Sequence, residues 1–181
     1  MNKNNPFTIR DFSYIAICTS LIVICAWIKF PFAIPFTMQT FGIALSVVLL
    51  GGKRALISVF LYILLGAIGL PVFSGFTGGI GILFGSTGGY IFGFLFLPLL
   101  AWVLDFIGSD PKHTLTLSLL LGQLSCYIFG TAWYLFLYAE TVSTQMICSI
   151  ISICVLPFIL PDIAKLILAY IIANRLKKHV K

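Results

Sequence analysis

Long apolar stretches with very few polar positions dominate the chain. Leu, Ile, Val and Phe fill these stretches without leaving a polar helical face or an alternating pattern, which indicates a lipid bilayer as the surrounding solvent. In lipid, only α-helices and closed β-barrels satisfy their backbone hydrogen bonds, and barrel strands alternate apolar and polar positions. The pattern therefore predicts an all-α integral membrane bundle, with residues 1–181 forming a single domain.

The apolar pattern predicts six membrane-spanning helices. The second is short, since at about 1.5 Å per residue it barely crosses a hydrocarbon core of about 30 Å. The apolar segment 143–155 precedes Pro157 and Pro161, and is predicted to be a half-helix that dips into the membrane or lies along it. The six predicted spans cover residues 12–30, 36–52, 54–70, 88–107, 114–138 and 156–174.

Charge is scarce and unevenly placed. Only 9% of the residues are charged, against 60% hydrophobic, which is too little charge for a soluble domain. The loops 31–35, 71–87 and 139–155 contain no Lys or Arg. By the positive-inside rule, both termini are expected to be cytoplasmic, in a multi-pass protein of the cell membrane. The cations on the cytoplasmic side would be Lys3, Arg10, Lys53, Arg54, Lys112, Arg175, Lys177, Lys178 and Lys181.

The net charge of +6 does not indicate nucleic-acid binding. The basic C-terminal segment 175–181 lacks interleaved aromatic residues and any nucleic-acid-binding motif, so we interpret it as a topology anchor. The chain also contains five cysteines, an odd number without a CxxC motif, which are expected to be small buried hydrophobes rather than disulfides or metal ligands.

Catalytic and nucleotide-binding motifs are absent from the sequence. It has no GxxxxGK[ST], GxGxxG, HExxH or GxSxG pattern, so this chain is not expected to hydrolyse ATP. His113 and His179 fall at the predicted cytoplasmic ends of helices, without partners for metal or nucleophilic catalysis. We therefore expect no enzyme activity, no cofactor and no metal, and a lipid-modifying transferase lacks its catalytic set.

Asp162 and Lys165 are the strongest candidates for function. They lie three residues apart in the last predicted helix and therefore share a face. A charge at the centre of a membrane helix costs about 2.5–3.5 kcal/mol on insertion scales, so the pair should face the bundle interior or a cavity. It predicts a binding site for a small polar molecule, with an internal ion pair that only fixes helix packing as the alternative.

Glycine is concentrated in the predicted outer segment 71–89. Glycines let the backbone approach a ligand closely, and the phenylalanines among them could cover an apolar ring system. The alternatives are a loop in which glycine only makes turns, and a close helix contact along Gly81, Gly85, Gly89 and Gly93, which recur every four residues. Packing explains Gly89 and Gly93 at least as well as ligand binding does.

Four segments together resemble the biotin-transporter substrate-binding (S) subunits of energy-coupling-factor (ECF) importers, the BioY family. The resemblance extends in order over nearly the whole chain and is most specific in its middle part, and family members have six helices. The segments are 35–41 (PFTMQTF), 66–76 (GAIGLPVFSGF), 79–94 (GIGILFGSTGGYIFGF) and 161–165 (PDIAK).

The resemblance implies a biotin site near the outer surface, beneath the loop between the third and fourth helices. A carboxylate suits the N–H donors of the biotin urea, and an ammonium suits its oxygen or the tail carboxylate. Ser74 or Thr77 would replace an Asn common in the family. The implied substrate-binding residues are Asp162, Lys165, Ser74, Gly75, Thr77, Phe73, Phe76, Gly79, Tyr90 and Gln39.

The resemblance also implies partners. The small residues Ala16 and Ser20, spaced four apart in the first helix, resemble the surface by which such subunits dock on a transmembrane coupling subunit. Two ATPase subunits would then supply the energy for uptake. Other small vitamins on the same scaffold, and a structural membrane protein without a ligand, remain the alternatives.

Overall fold

The fold is a helical bundle with one small hairpin, which confirms the predicted all-α class. The computed structural model describes residues 7–30, 36–107, 111–138, 150–152 and 155–177. Most of the segment 143–155 lies outside these ranges. The elements are α1 (Ile9–Trp27), β1 (Lys29–Phe30), β2 (Phe36–Thr37), α2 (Gln39–Leu50), α3 (Gly52–Ala67), α4 (Ile80–Leu83), α5 (Gly88–Gly93), α6 (Phe96–Ile107), α7 (Pro111–Tyr138) and α8 (Leu156–Lys177).

Four helical stretches in the described ranges are long and apolar enough to cross a membrane: α1, α5 together with α6, α7, and α8. The other two predicted spans correspond to shorter helices. With 12 residues in α2 and 16 in α3, they measure about 18 Å and 24 Å at 1.5 Å per residue. The count of six spans and the cytoplasmic placement of both termini stay predictions.

The predicted spans and the observed helices differ by up to three residues at their ends, and two of the differences have an identifiable cause. The second helix begins at Gln39 rather than at 36, because the Met38 N–H donates to the carbonyls of Cys25 (3.2 Å) and Ile28 (3.1 Å) at the end of α1. The fourth is divided between α5 and α6, close to the carbonyl of Phe94. Pro98 has no N–H to donate to that carbonyl, which weakens the helix there.

The hairpin is antiparallel and consists of two residue pairs, Lys29 with Thr37 and Phe30 with Phe36. It follows α1 directly and leads into α2. The hairpin places the Thr37 backbone and the Phe36 ring beside the start of α2, on the side of α2 that faces α8.

The central element of the bundle is α2. It contacts α1, α3, α6 and α8, and nearly all of its side chains are buried, including the polar Gln39, Thr40 and Ser46. A helix that is apolar on all sides is expected at the centre of a bundle. The helices around it carry exposed Ile, Leu and Phe side chains, as expected of a surface that faces lipid.

An ion pair ties the start of α1 to the start of α3. Thr8 caps α1 in a reciprocal arrangement with Asp11, and Asp11 Oδ1 lies 2.9 Å from Arg54 Nε. This pair is near the first residues of α1, whereas the hairpin follows its last residue. The two features are therefore separated by almost the full length of α1, about 24 Å at 1.5 Å per residue over the 16 residues between Asp11 and Trp27.

The glycine-rich segment contains two close helix contacts. A Cβ atom at Gly89 would collide with the Cβ of Trp133 in α7, and one at Gly93 would lie 2.8 Å from Cys126 Sγ. At Gly81, by contrast, a Cβ would meet nothing within 4 Å. The predicted packing role is confirmed for Gly89 and Gly93, and it does not extend to Gly81.

We expect Gly89→Ala to destabilise the protein by about 1–3 kcal/mol, the usual cost of forcing extra volume into a close-packed contact. Gly81→Ala is the matched control, because the same methyl group enters open space there. Thermal unfolding of the detergent-purified variants measures the difference. Equal midpoints for the two variants would show that the contact between α5 and α7 is looser than described.

Candidate ligand-binding site

Asp162 and Lys165 form a buried ion pair on α8. The Lys165 Nζ lies 2.8 Å from Asp162 Oδ1, and each residue is only 5% exposed. Their spacing of three residues places them on one helical face, and that face is turned toward α2 and α7 rather than toward lipid. The predicted orientation of the pair into the bundle is confirmed.

Four donors surround the Asp162 carboxylate. Oδ1 accepts from Lys165 and from Thr40 Oγ1 at 3.0 Å, whereas Oδ2 accepts from Gln123 Nε2 at 3.0 Å and from the Tyr127 hydroxyl. An ionised carboxylate offers about four acceptor positions. The protein itself therefore fills the hydrogen-bonding capacity of this carboxylate.

The Lys165 ammonium is equally well satisfied. It donates to the Thr37 carbonyl at 2.6 Å, to Asp162, and to Thr40 Oγ1 at 3.3 Å. Its Nζ also lies 3.6 Å from the centre of the Phe36 ring, which is stacked on Phe158. The cation thus combines an ion pair with a cation–π contact, both of which strengthen when water is excluded.

The ion pair lies in the wall of a small cavity of about 60 Å³, here called the inner compartment. The lining combines aromatic rings from the hairpin, α5 and α8 with polar groups from α2, α7 and α8. The lining residues are Phe36, Thr37, Thr40, Tyr90, Phe94, Gln123, Cys126, Tyr127, Phe158, Asp162 and Lys165.

A second cavity of about 250 Å³, the loop compartment, adjoins the first and shares Thr37, Tyr90 and Phe94 with it. Its polar groups are hydroxyls and one amide, without a charged side chain. Its other lining residues are Gln39, Tyr62, Phe73, Ser74, Thr77, Ile82, Thr87 and Ile91. Together the compartments form a concave, largely apolar space with a few polar groups, as is usual for small-molecule sites.

A tight turn in the loop after α3 covers the loop compartment. Phe73 N–H donates to the Thr77 carbonyl at 2.9 Å, and the turn between them has positive φ at Gly75 (78°) and Phe76 (58°). A positive φ is unusual for a bulky residue such as Phe76. The turn places Phe73, Ser74 and Thr77 in the cavity lining and leaves the Phe76 ring outside it.

Trp27, the last residue of α1, holds this loop from outside. Its indole N–H donates to the Pro71 carbonyl at 2.9 Å, and its ring stacks on Phe76 with the ring centres 4.8 Å apart. The Lys29 side chain lies against Gly75, close to where a Cβ would be. The end of α1 and the hairpin therefore fasten the loop above the cavity.

Seven of the ten residues that the sequence indicated for substrate binding line these compartments: Asp162, Lys165, Gln39, Tyr90, Phe73, Ser74 and Thr77. The other three support the loop. Gly75 lies under Lys29, Phe76 stacks on Trp27, and the Gly79 N–H donates to the Gly66 carbonyl at 2.7 Å. Their backbone conformations shape the loop, while their side chains are not among those lining the cavities.

Sequence reasoning missed six polar residues of the site: Thr37, Thr40, Tyr62, Thr87, Gln123 and Tyr127. Gln123 and Tyr127 are four residues apart on α7 and therefore share the face that meets Asp162. A Gln in the middle of an apolar span was a usable signal, because polar side chains in a membrane helix usually face the bundle interior. The three threonines and Tyr62 carried no comparable signal.

The arrangement is suited to binding a small, compact molecule. Within the described part of the chain, no group of three or more His, Cys, Asp and Glu could hold a metal ion. The two charges neutralise each other, and the aromatic walls offer contact area for a compact ring. Farther away on α1, Ala16 and Ser20 are both exposed on the outer face of the bundle.

Comparison with known proteins identifies relatives over almost the full chain. A biotin transporter, BioY, of Thermotoga maritima is 40% identical over 163 residues, which is 90% of this chain and 92% of that protein. A probable biotin transporter, BioY, of Pyrococcus horikoshii is 36% identical over 169 residues, covering 93% and 96% of the two chains.

The fold also matches a crystal structure of the S-component for biotin from an ECF-type ABC transporter. The TM-score is 0.79 at 29% identity, and the match covers 96% of this chain and 95% of the other. Finally, the model of the BioY family matches residues 1–181. This chain is therefore a member of the BioY family, and it has the several apolar helices of a multi-pass membrane protein.

Proposed function

We propose that this protein binds biotin and imports it across the cytoplasmic membrane as the S subunit of an ECF-type transporter. The observation that carries the proposal is the buried Asp162–Lys165 pair in the wall of a roofed cavity. The family to which the chain belongs, and the names of its relatives, support biotin as the ligand.

The two compartments suit the two ends of biotin. Biotin joins a compact, rigid bicyclic urea to a flexible chain that ends in a carboxylate. Aromatic and aliphatic walls provide apolar contact for the ring and the chain, and polar groups at both ends provide hydrogen bonds. Burial beneath the loop removes the ligand from water, which supports tight capture.

Energy for uptake would come from other subunits. The sequence lacks an ATP-binding motif, so we propose that a transmembrane coupling subunit and two ATPase subunits drive release. Ala16 and Ser20 are exposed in the middle of α1, and small residues at this spacing let another helix approach closely. This face is the proposed contact with the coupling subunit.

Titration of the detergent-purified protein tests the ligand. We expect saturable, one-to-one binding of biotin in isothermal titration calorimetry, and no binding of thiamine or riboflavin at the same concentrations. Their rings differ from a bicyclic urea in shape and in the order of their donors and acceptors. Preference for either of those vitamins would assign the scaffold to another ligand.

We expect Asp162→Asn to weaken biotin binding by about tenfold or more, because Lys165 loses its counter-charge and a charged hydrogen bond is worth about 1.5–3 kcal/mol. Asp11→Asn is the matched control. It breaks the ion pair between Asp11 and Arg54. That pair lies near the first residues of α1, whereas the candidate site lies near its last residues. If Asp162→Asn lowers the melting temperature and leaves the affinity unchanged, the buried pair serves packing alone.

We expect Trp27→Ala to accelerate biotin dissociation several-fold, because the variant loses the hydrogen bond to Pro71 and the stack on Phe76 that fasten the loop. Each contact of this kind is worth about 1 kcal/mol. Stopped-flow competition with labelled biotin measures the rate. Phe60→Ala, which removes an aromatic ring exposed on α3, should leave the rate unchanged, and an equal effect of both variants would contradict this role of Trp27.

A further inference from the structure

Gln123 on α7 has a buried acceptor atom that receives no hydrogen bond from the described residues. The residue is 6% exposed and lines the inner compartment. Its Nε2 donates to Asp162 Oδ2 at 3.0 Å, whereas its Oε1 is buried and has no hydrogen-bond partner among the described residues. A buried polar atom in this condition has lost its hydration without a replacement, unless a ligand or water pairs with it.

The orientation of the Gln123 amide follows from its neighbour. An ionised carboxylate only accepts hydrogen bonds, so the amide must turn its NH₂ group toward Asp162. The opposite orientation would place two acceptor oxygens against each other. The oxygen Oε1 is consequently directed away from Asp162 and is available as an acceptor.

The ion pair itself offers less to a ligand than its charges suggest. Four protein donors occupy the acceptor positions of Asp162, and three acceptors receive the N–H groups of Lys165. A ligand could contact either group only by displacing a protein partner. A ligand that binds Gln123 Oε1 displaces no described partner, and it gives a hydrogen bond to a buried atom that otherwise lacks one.

The chemistry of an amide oxygen selects the ligand group. Oε1 accepts an N–H or O–H and repels a carboxylate, which has only lone pairs to offer. The urea of biotin has two N–H groups, whereas its chain ends in a carboxylate at neutral pH. The hydroxyls of Ser74 and Thr87 in the loop compartment are neutral donors that suit the carboxylate end, and the buried Ser74 Oγ has no hydrogen-bond partner among the described residues.

We propose that Gln123 determines specificity by accepting a urea N–H of biotin through Oε1, and that Asp162 is a positioning residue that fixes the orientation of the Gln123 amide. The ring of biotin then lies in the inner compartment and its chain extends beneath the loop. This inference rests on the proposed function, and it names a contact on α7 that the sequence motifs do not include.

The experiment compares biotin with its two N-methyl isomers, each of which replaces one urea N–H by a methyl group. In the wild-type protein, we expect methylation at one nitrogen to weaken binding by at least about tenfold. In Gln123→Met, which keeps a long flexible side chain without an acceptor oxygen, we expect biotin to bind about three- to tenfold more weakly. The penalty for methylation should shrink by a similar factor.

Controls separate this contact from general damage to the fold. Ser118→Ala removes another buried polar group from α7, the Ser118 hydroxyl, which donates within the helix to the Leu115 carbonyl. This variant should keep the wild-type affinities for all three ligands. In Asp162→Asn, the methylation penalty should also fall, because an asparagine can face Gln123 with either its oxygen or its nitrogen. An unchanged penalty in Asp162→Asn contradicts the positioning role.

The outcomes distinguish this inference from the proposed function. A wild-type protein that binds biotin and both N-methyl isomers equally well overturns the role of Gln123, whether or not Gln123→Met folds. The same conclusion follows if Gln123→Met keeps both the wild-type affinity and the methylation penalty. A wild-type protein that does not bind biotin overturns the proposed function, and this inference with it.

Discussion

The buried ion pair between Asp162 and Lys165 sets the requirements that the surrounding structure meets. Two charges inside a membrane bundle carry a large desolvation cost, and their attraction offsets it only when further hydrogen bonds satisfy both groups. Here those bonds come from three separate elements: a backbone carbonyl of the hairpin, a hydroxyl of α2, and the Gln123 and Tyr127 side chains of α7. The pair therefore determines how the elements around α8 are positioned.

This requirement gives a reason for the hairpin, the one irregular feature at the centre of the described fold. The Thr37 carbonyl accepts from Lys165 because Thr37 is in a strand, where its carbonyl is not engaged in a helical hydrogen bond. The Phe36 ring next to it covers the ammonium. Had α2 begun at residue 36, as the apolar pattern suggested, neither group would be placed in this way.

The sequence predicted those parts of the site whose physical signal is local. Two charges in an apolar helix had to face inward, and glycines spaced four apart in a helix had to permit close contact. Gln123, Thr40 and Tyr62 were not predicted, because a single polar residue does not indicate which partner it meets across the bundle. Their roles depend on contacts between α2, α3, α7 and α8 that no short motif encodes.

In the loop after α3, too, the sequence predicted the roles of some residues and not of others. Its glycines and phenylalanines indicated a ligand, and Phe73 does line the cavity, while Gly75 and Phe76 shape the turn instead. The backbone of the turn explains this result, since the positive φ at Gly75 and Phe76 reverses the chain there and directs the Phe76 ring away from the cavity that Phe73, Ser74 and Thr77 line. Which side faces the cavity is decided by Trp27 at the end of α1, far away in sequence.

Packing and binding prove to be connected in the glycine-rich segment rather than alternative explanations of it. Gly89 and Gly93 accept Trp133 and Cys126 of α7, while in return Gly130 of α7 accepts the Tyr90 ring. This interlocking lets α5 and α7 approach closely, as small residues do in membrane bundles.

The helix α7 also carries Gln123 and Tyr127, whose donors both reach Asp162. A displacement of α7 by the width of even one methyl group would lengthen those hydrogen bonds, and a hydrogen bond weakens steeply beyond its normal distance. The glycines therefore contribute to the site without touching a ligand, because the distance between α5 and α7 sets the distance between Gln123 and the carboxylate.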